Sequence, residues 1–423
     1  MSDRNMAMAR QIAAAVANAG GRTYYVGGFV RDRLMGRENK DIDIEVHGVT
    51  VPALEAILRG LGEVTTMGAS FGVMGLRHYD IDIAMPRSEK ATGRGHKDFE
   101  VFVDPFIGEE KAALRRDFTM NALMQDVLTG EVLDFFGGRR DIEAGRIRHV
   151  NDATFAEDPL RVFRAAQFAA RFGFAVADET TAISAGMAVD ALAPERVMGE
   201  LEKALMKAAR PSIFFTELKK MNRLDPWFRE LDALPEDALA RTMARLDAAA
   251  ARRSLAQRPL DFMLAAVCAG LGPAGAAAFV HRLTNAVEAT RYVLNMVECL
   301  GRLAACLEAD PGEDGWMTLF DASVCPEDML LLARAAYGDG SPDWPATGER
   351  LRGLYALYRE RMARPFVMGR DLVEAGVRPG PDMGRALKYA HGLRLAGVEK
   401  AAQLQSTLDW LRRGGDGEEA SHA

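Results

Sequence analysis

The chain has 423 residues, 48% of them hydrophobic and 27% charged, with a formal net charge of −7 and a pI near 5.7. That is enough apolar matter for two to four buried cores, while apolar stretches such as LDFMLAAVCAG are too short and interrupted to span a bilayer. The acidic balance is unlike a protein that grips nucleic acid over its whole surface, but charge matters by location, and nine arginines are concentrated between Arg115 and Arg171, where they form either a local basic patch or a solvated helical face.

The N-terminal MSDRNMAMARQIAAAV has the spacing of an amphipathic helix and no signal-peptide cleavage site, which predicts a cytoplasmic location. Residues 1–150 then mix strand-like runs (TYYVGG, DIDIEVHG, GEVTTMG, FGVMGLR, YDIDIAM) with short helical patterns and Gly-rich turns such as DFFGGRRD, which predicts an α+β head. Between Met85 and Asp98 the charged segment PRSEKATGRGHKD has no apolar periodicity and reads as a mobile loop. From about Asp152 no strand is expected, because apolar residues recur at helical spacing through FAEDPLRVFRAAQFAARF, PERVMGELEKALMKA and IFFTELKKMNRL. Pro211, the Asp225-Pro226 pair and later PGEDG, DGSPDWP and RPGPD punctuate this helical part and place joints near 150, 225 and 355. The expected domains are a head (1–150), a helical neck (151–224), a helical body (225–355) and a helical tail (356–423) ending in the acidic, disorder-prone GGDGEEASHA. Cys268, Cys299, Cys306 and Cys325 lack CxxC spacing, which argues for reduced core residues rather than zinc ligands or disulfides.

The densest chemistry lies in YYVGGFVRDRLMGRENKDIDIEVHG, residues 24–48, which reads as strand, Gly-Gly turn, short helix and second strand. Asp41 and Asp43, two apart on a strand, are expected on one face. Adjacent hard carboxylates suit Mg²⁺, which completes its shell with water and substrate phosphates; such ions can align an attacking 3′ hydroxyl with an α-phosphate and stabilise the pyrophosphate leaving group. Gly27 and Gly28 would let a phosphate approach the backbone closely, with Arg31 within reach of a triphosphate.

This segment resembles the signature of the tRNA nucleotidyltransferase and poly(A) polymerase family, within the DNA polymerase β superfamily. RRDFTMNAL (115–123), EDPLRVFRAAQFAARFGF (157–174) and PERVMGELEKAL (194–205) are similar to further motifs of that family, in the same order. The resemblance implies that Asp41 and Asp43 bind Mg²⁺ and that Gly28, Arg31 and Arg116 hold the incoming triphosphate. Asp82, in the strand pattern YDIDIAM that puts it on one face with Asp80, is a candidate third carboxylate.

A family without a nucleic-acid template must read the incoming base with side chains. Asp158, Arg161 and Arg164, three apart on a helix, would line one face, where a carboxylate can accept from the exocyclic amine of cytosine or adenine and a guanidinium can donate to the ring. The resemblance implies Asp158 and Arg161 as base readers, Arg164 as a nucleotide contact and Glu157 as the residue holding Arg161. Glu157-Asp158-Pro159 also reads as an acidic helix start. Many relatives carry a His-Asp phosphohydrolase domain after the neck; here no histidine precedes Asp, and Cys268-Ala269 stands where such a pair would be expected, so the body reads as a degenerate relative without a second metal site. His281 and His391 read as surface or interface residues. GRDLVEAGVRPGPDMGRALKYAHGLRLAG (369–397) resembles the tRNA-binding tail of bacterial members.

The function implied is addition of CCA to the 3′ end of tRNA from CTP and ATP, with release of pyrophosphate. The resemblance implies that a loop after Met85 accompanies the final A addition, which argues against an enzyme adding CC alone. An A-adding enzyme with a separate CC-adding partner shares every motif; a poly(A) polymerase and an inactive RNA-binding relative come behind, the latter because the carboxylates and Gly28, Arg31 and Arg116 are all in place.

Overall fold

The period-two alternation of IDIEVH becomes the central strand of a sheet with one buried and one working face. The computed structural model describes residues 2–39, 41–66, 73–91, 99–338 and 341–414. These form two compact units, residues 1–204 with 213–226, and residues 205–212 with 227–423. This is coarser than four segments: the expected head and most of the neck share the first unit.

In the first unit, α1 (Ser2–Asn18) leads into β1 (Arg22–Val26), α2 (Gly28–Leu34), β2 (Ile42–His47) and α3 (Val51–Leu61). Strands β3 (Val64–Thr66), β4 (Val73–Leu76), β5 (Ile81–Ala84), β6 (Arg87–Ala91) and β7 (Phe99–Val103) follow. After α4 (Glu109–Leu114) come the hairpin β8 (Met124–Asp126) and β9 (Val132–Leu133), α5 (Gly138–Glu143) and β10 (Arg146–Ile147). The main sheet has the order β3-β4-β5-β2-β1-β8-β9, and β2 pairs antiparallel with β1 but parallel with β5. One face is apolar: Tyr25, Ile42, Ile44, Val46, Ile81 and Ile83 bury against Ile12, Val16, Leu54 and Leu58 of α1 and α3. Burying a side chain of this size contributes about 1.5–3 kcal/mol, so the sheet's register is fixed by this face. The residues in between, Asp43, Glu45, His47 and Asp82, therefore point the other way.

The remainder of this unit is α6 (Asp152–Ala156), α7 (Leu160–Phe172), β11 (Ala175–Val176), α8 (Asp178–Gly186), α9 (Pro194–Lys207, whose last residues belong to the second unit) and α10 (Ser212–Lys220). Two expectations are corrected here. The segment after Met85 is not all loop, because β6 pairs antiparallel with β7 from Arg87↔Val103 to Ala91↔Phe99; residues 92–98 lie outside the described residues. Nor is the chain strand-free beyond Asp152: Gly173, at φ +73°, ends α7 and returns the chain so that β11 pairs with β10.

The second unit is helical: α11 (Arg229–Asp232), α12 (Glu236–Ala250), α13 (Pro259–Cys268), α14 (Gly272–Leu283), α15 (Val287–Ala309), α16 (Gly312–Ala322), α17 (Pro326–Ala333), α18 (Trp344–Ala363), α19 (Gly369–Glu374), α20 (Pro381–Leu395) and α21 (Lys400–Arg412). In α13 every residue from Phe262 to Cys268 is buried, as expected of a helix apolar on all sides, and it packs against α12, α14 and α15. Burial raises the Cys268 thiol far above its ordinary value, which fits an inert core residue. The turn at PGP joins α19 to α20, and Val367, Leu372, Ala386 and Ala390 form a small core there, with Tyr389 stacked on Trp410 at 5.0 Å. His281 is exposed, while His391 Nε2 lies 2.9 Å from Asp321. Residues 415–423, most of the acidic tail, lie outside the described residues. No described helix is long and apolar enough to cross a membrane.

Candidate active site

The non-core face of the sheet opens on a cleft of about 410 Å³ lined by Asp43, Glu45, Asp82, Arg87, Arg115 and Arg116, among others. Asp43 and Asp82 are register partners across the parallel pair β2–β5, so two carboxylates stand side by side at its floor. Burial, and then the charges of Asp82 and Asp41, hold the Asp43 carboxyl above its ordinary value, with Arg116 opposing. Asp41 falls one residue ahead of β2 rather than within it, exposed, with its N–H donated to Asn39 Oδ1 at 3.0 Å. Likewise Asp80 precedes β5, so Asp82 alone of that pair is a strand residue. Among the described residues no group of three or more His, Cys, Asp or Glu could enclose a metal ion by itself. The Asp43–Asp82 pair is a hard, oxygen-only donor set that fits a divalent cation able to complete its shell with water and phosphate.

Gly27 and Gly28 form the turn between β1 and α2. Gly27 has φ +62° and ψ −127°, a conformation open mainly to glycine, and a Cβ placed there would lie 3.6 Å from Arg116 Nη1. Arg116 donates through Nη2 to Glu45 Oε2 at 2.8 Å. Arg31 does not reach freely outward: only 3% exposed, it donates to Asp32 Oδ1 at 2.8 Å and Asn121 Oδ1 at 2.6 Å and lies over the rings of Phe168 and Phe172. Its guanidinium thus ties the Gly-Gly turn to α7. Asp32 in turn accepts from Asn39, 2.9 Å away, two residues before Asp41.

The second expected cluster sits at the start of α7, where the chain departs from a simple helical face. Asp158 lies ahead of the helix, whose N-cap is Pro159, and accepts from the N–H of Leu160 at 3.1 Å, so it does act at a helix start. Its carboxylate also accepts from Arg196 Nη2 at 2.9 Å, a partner 38 residues on, in the PERV segment, that no local pattern connects to it. Arg161 donates from Nη1 to the carbonyl of Thr154 at 2.5 Å and from Nη2 to that of Arg115 at 3.0 Å. The expected hold of Glu157 on Arg161 is replaced by these carbonyls, and Glu157 faces Arg115 at 3.9 Å. Arg164 pairs with Asp117 through Nε and Nη2 at 2.8 and 2.5 Å, with Glu200 at 3.7 Å. Asp117 also accepts from Asn121 Nδ2 at 2.9 Å and so joins the Arg31 cluster to α7.

A carboxylate pair on a mixed sheet, beside a Gly-Gly turn and buried arginines, defines a nucleotidyltransferase head. Residues 23–148 match the family described as the poly A polymerase head domain. The chain is 38% identical over 389 residues to a "multifunctional CCA protein" of Pseudomonas putida KT2440, covering 89% of this chain and 98% of that one. Its fold is similar to a Thermotoga maritima CCA-adding enzyme solved in complex with tRNA (TM-score 0.68, 20% identity, 97% and 98% of the two chains covered). It is also similar to a CCA-adding enzyme solved with CTP (TM-score 0.71, 20% identity, 98% and 99% covered). The chain belongs to the CCA-adding tRNA nucleotidyltransferase family, and it is an enzyme of that class. Use of a divalent metal ion follows from the family.

Proposed function

We propose that this enzyme builds the CCA end of tRNA from CTP and ATP, releasing one pyrophosphate per nucleotide. The observation that carries this reading is the opposition of Asp43 and Asp82 across β2 and β5 in the cleft that also receives Arg116. Asp43 and Asp82, with Asp41 at the rim, would hold Mg²⁺, which when bound supplies charge for the triphosphate and activation of the tRNA 3′ hydroxyl. Gly28 leaves room for phosphate oxygens, Gly27 shapes the turn, and Arg116, whose Nη1 lies beside Gly27, faces the triphosphate. Arg31, anchored inside, fixes the turn and lends its charge from beneath. Asp158 and Arg161 read the base edge and Arg164 supports them through Asp117; for Asp158 to do so, the incoming base must compete with Arg196. Glu157 orients Arg115 beside them.

In this reading residues 1–150 are the catalytic head, 151–224 the base-reading neck, 225–355 a degenerate relative of a phosphohydrolase domain and 356–423 the tRNA-binding tail, in a cytoplasmic enzyme. Full CCA addition is favoured over A addition alone because the relative named for CCA matches over nearly its whole length. The test is extension of three tRNA transcripts, ending in the discriminator base, in C or in CC, with CTP, ATP or both and Mg²⁺. Extension of all three to CCA supports the reading; A addition to the CC-ended transcript alone replaces it with a partner-dependent A-adding enzyme.

A further inference from the structure

We infer that His47 and Glu45 are positioning residues that hold Arg116 in its place in the cleft. The inference rests on the reading of Arg116 as a triphosphate contact and goes beyond it. β2 carries Asp43, Glu45 and His47 at successive odd positions, so one strand face presents a carboxylate of the proposed metal pair and then two residues to which the proposed function gives no role. Both oxygens of Glu45 are engaged: Oε2 accepts from Arg116 Nη2 at 2.8 Å, and Oε1 lies 2.9 Å from His47 Nε2. A carboxylate so used has little left to offer a metal, although it lines the same cleft as Asp43 and Asp82. Its part is to pin a guanidinium.

The pin is itself pinned. His47 is 4% exposed, and the ring of Tyr24, from the neighbouring strand, stands perpendicular to it at 5.4 Å. Tyr24 is the register partner of Glu45 and donates its hydroxyl to Glu109 Oε1 at 2.8 Å, so its ring has little freedom to turn. Arg116 donates to one oxygen of Glu45 while His47 Nε2 stands beside the other, so the Glu45 carboxylate is the acceptor between the two. His47 must then donate through Nε2. Its Nδ1 is buried with no hydrogen-bond partner, and a bare lone pair at that position costs less than an orphaned N–H. Glu45 therefore takes a hydrogen bond from each side, and its position sets where Arg116 meets the nucleotide.

The pinned arginine should act on both nucleotides alike, because it touches a part they share. We expect His47→Ala to raise KM for CTP and for ATP about tenfold, the loss of one hydrogen bond to a charged group, with kcat changed less than twofold, as when uniform binding is lost. His47→Gln, whose amide nitrogen can reach the place of Nε2, should restore KM. Nucleotide Kd is then measured in the Arg116→Gln background. If His47 works through Arg116, His47→Ala adds little there. A full, additive tenfold loss in that background, or no change in the wild-type background, overturns the inference while leaving the Arg116 reading intact. An unchanged Kd for Arg116→Gln alone overturns that reading and the inference with it. Should His47→Ala not fold, Glu45→Gln removes the charge while keeping the shape and is held to the same outcomes, its thermal midpoint checked beside the wild type.

Discussion

Arg164 meets Asp117 with two N–H groups on a single carboxylate oxygen, Oδ2, at 2.8 and 2.5 Å. Asp117 is buried and has its other oxygen bonded to Asn121 and to the N–H of Phe118. Removing Asp117 strips the half-buried Arg164 of its two hydrogen bonds and leaves it Glu200 alone, 3.7 Å away, while Asn121 and the Phe118 N–H lose their acceptor, a loss of about 1–3 kcal/mol. Asp117→Ala is therefore expected to destabilise the first unit strongly, read as a drop in its denaturant midpoint. Burial would raise the Asp117 carboxyl, but Arg164 and Asn121 outweigh it and hold it below its ordinary 3.8. A depressed carboxylate stabilises the fold above its unfolded value and loses that contribution as pH falls through its folded value. The wild type should thus lose stability below about pH 4, and Asp117→Asn should flatten that acid limb. An acid limb of unchanged steepness in Asp117→Asn would show that other carboxylates set it.

Asp43 and Asp82 separate activity from stability. The Asp43 carboxyl is pushed up by burial and by Asp82 and Asp41, which means its charged form costs free energy in the fold. Asp43→Asn should therefore melt at or above the wild-type temperature when no divalent cation is added, while nucleotide addition falls by about a thousandfold, equivalent to about 4 kcal/mol of lost transition-state stabilisation. Asp82→Asn should lose activity likewise. A variant that melted well below wild type would show that the carboxylate pair serves the fold.

Much of this cleft is legible in the sequence, because its parts obey strand periodicity. The alternation in DIDIEVH puts Asp43 opposite the core, and the same alternation puts Glu45 and His47 on that face, where they are easily passed over because only a pair of aspartates looks like metal chemistry. The hairpin β6–β7 was equally available in FEVFV, but the charged RSEKA opposite it reads as loop until paired. What no local pattern could show is the fate of Arg31. Its burial depends on Phe168 and Phe172, contributed by a helix more than a hundred residues later, and on Asn121 from a third segment. The helical face assigned to Asp158, Arg161 and Arg164 failed for a nearer reason: Pro159 caps α7, so Asp158 is outside it.

Arg161 tests base reading because of the way it is held. Two of its terminal nitrogens go to backbone carbonyls on different segments, Thr154 and Arg115, a forked geometry that an ammonium cannot reproduce. Arg161→Lys keeps the charge and should still lower the preference for CTP and ATP over UTP by about tenfold or more, the worth of one hydrogen bond to a charged group. The measurement is the ratio of kcat/KM values on a tRNA transcript. A wild-type ratio in Arg161→Lys would remove Arg161 from the base-reading set.

The two glycines of the turn should fail in different ways. Gly27 holds φ +62° and ψ −127°, so Gly27→Ala strains the backbone whatever space surrounds it, at a cost of about 1–3 kcal/mol. Its Cβ would also stand 3.6 Å from Arg116 Nη1, so nucleotide affinity should fall together with the melting temperature. Gly28 carries no such strain: a Cβ there lies 3.4 Å from Arg31 Nη2 and 3.6 Å from Asn39 Nδ2, which is ordinary contact. Gly28→Ala should melt near the wild type, yet bind CTP and ATP about tenfold more weakly, because the added methyl takes ground that phosphate oxygens need beside the backbone. Thermal melts and nucleotide titrations on the two variants read both axes at once. Full nucleotide affinity in Gly28→Ala would mean that the triphosphate does not pass over this turn, and the arginine wall around Arg116 would have to hold it alone.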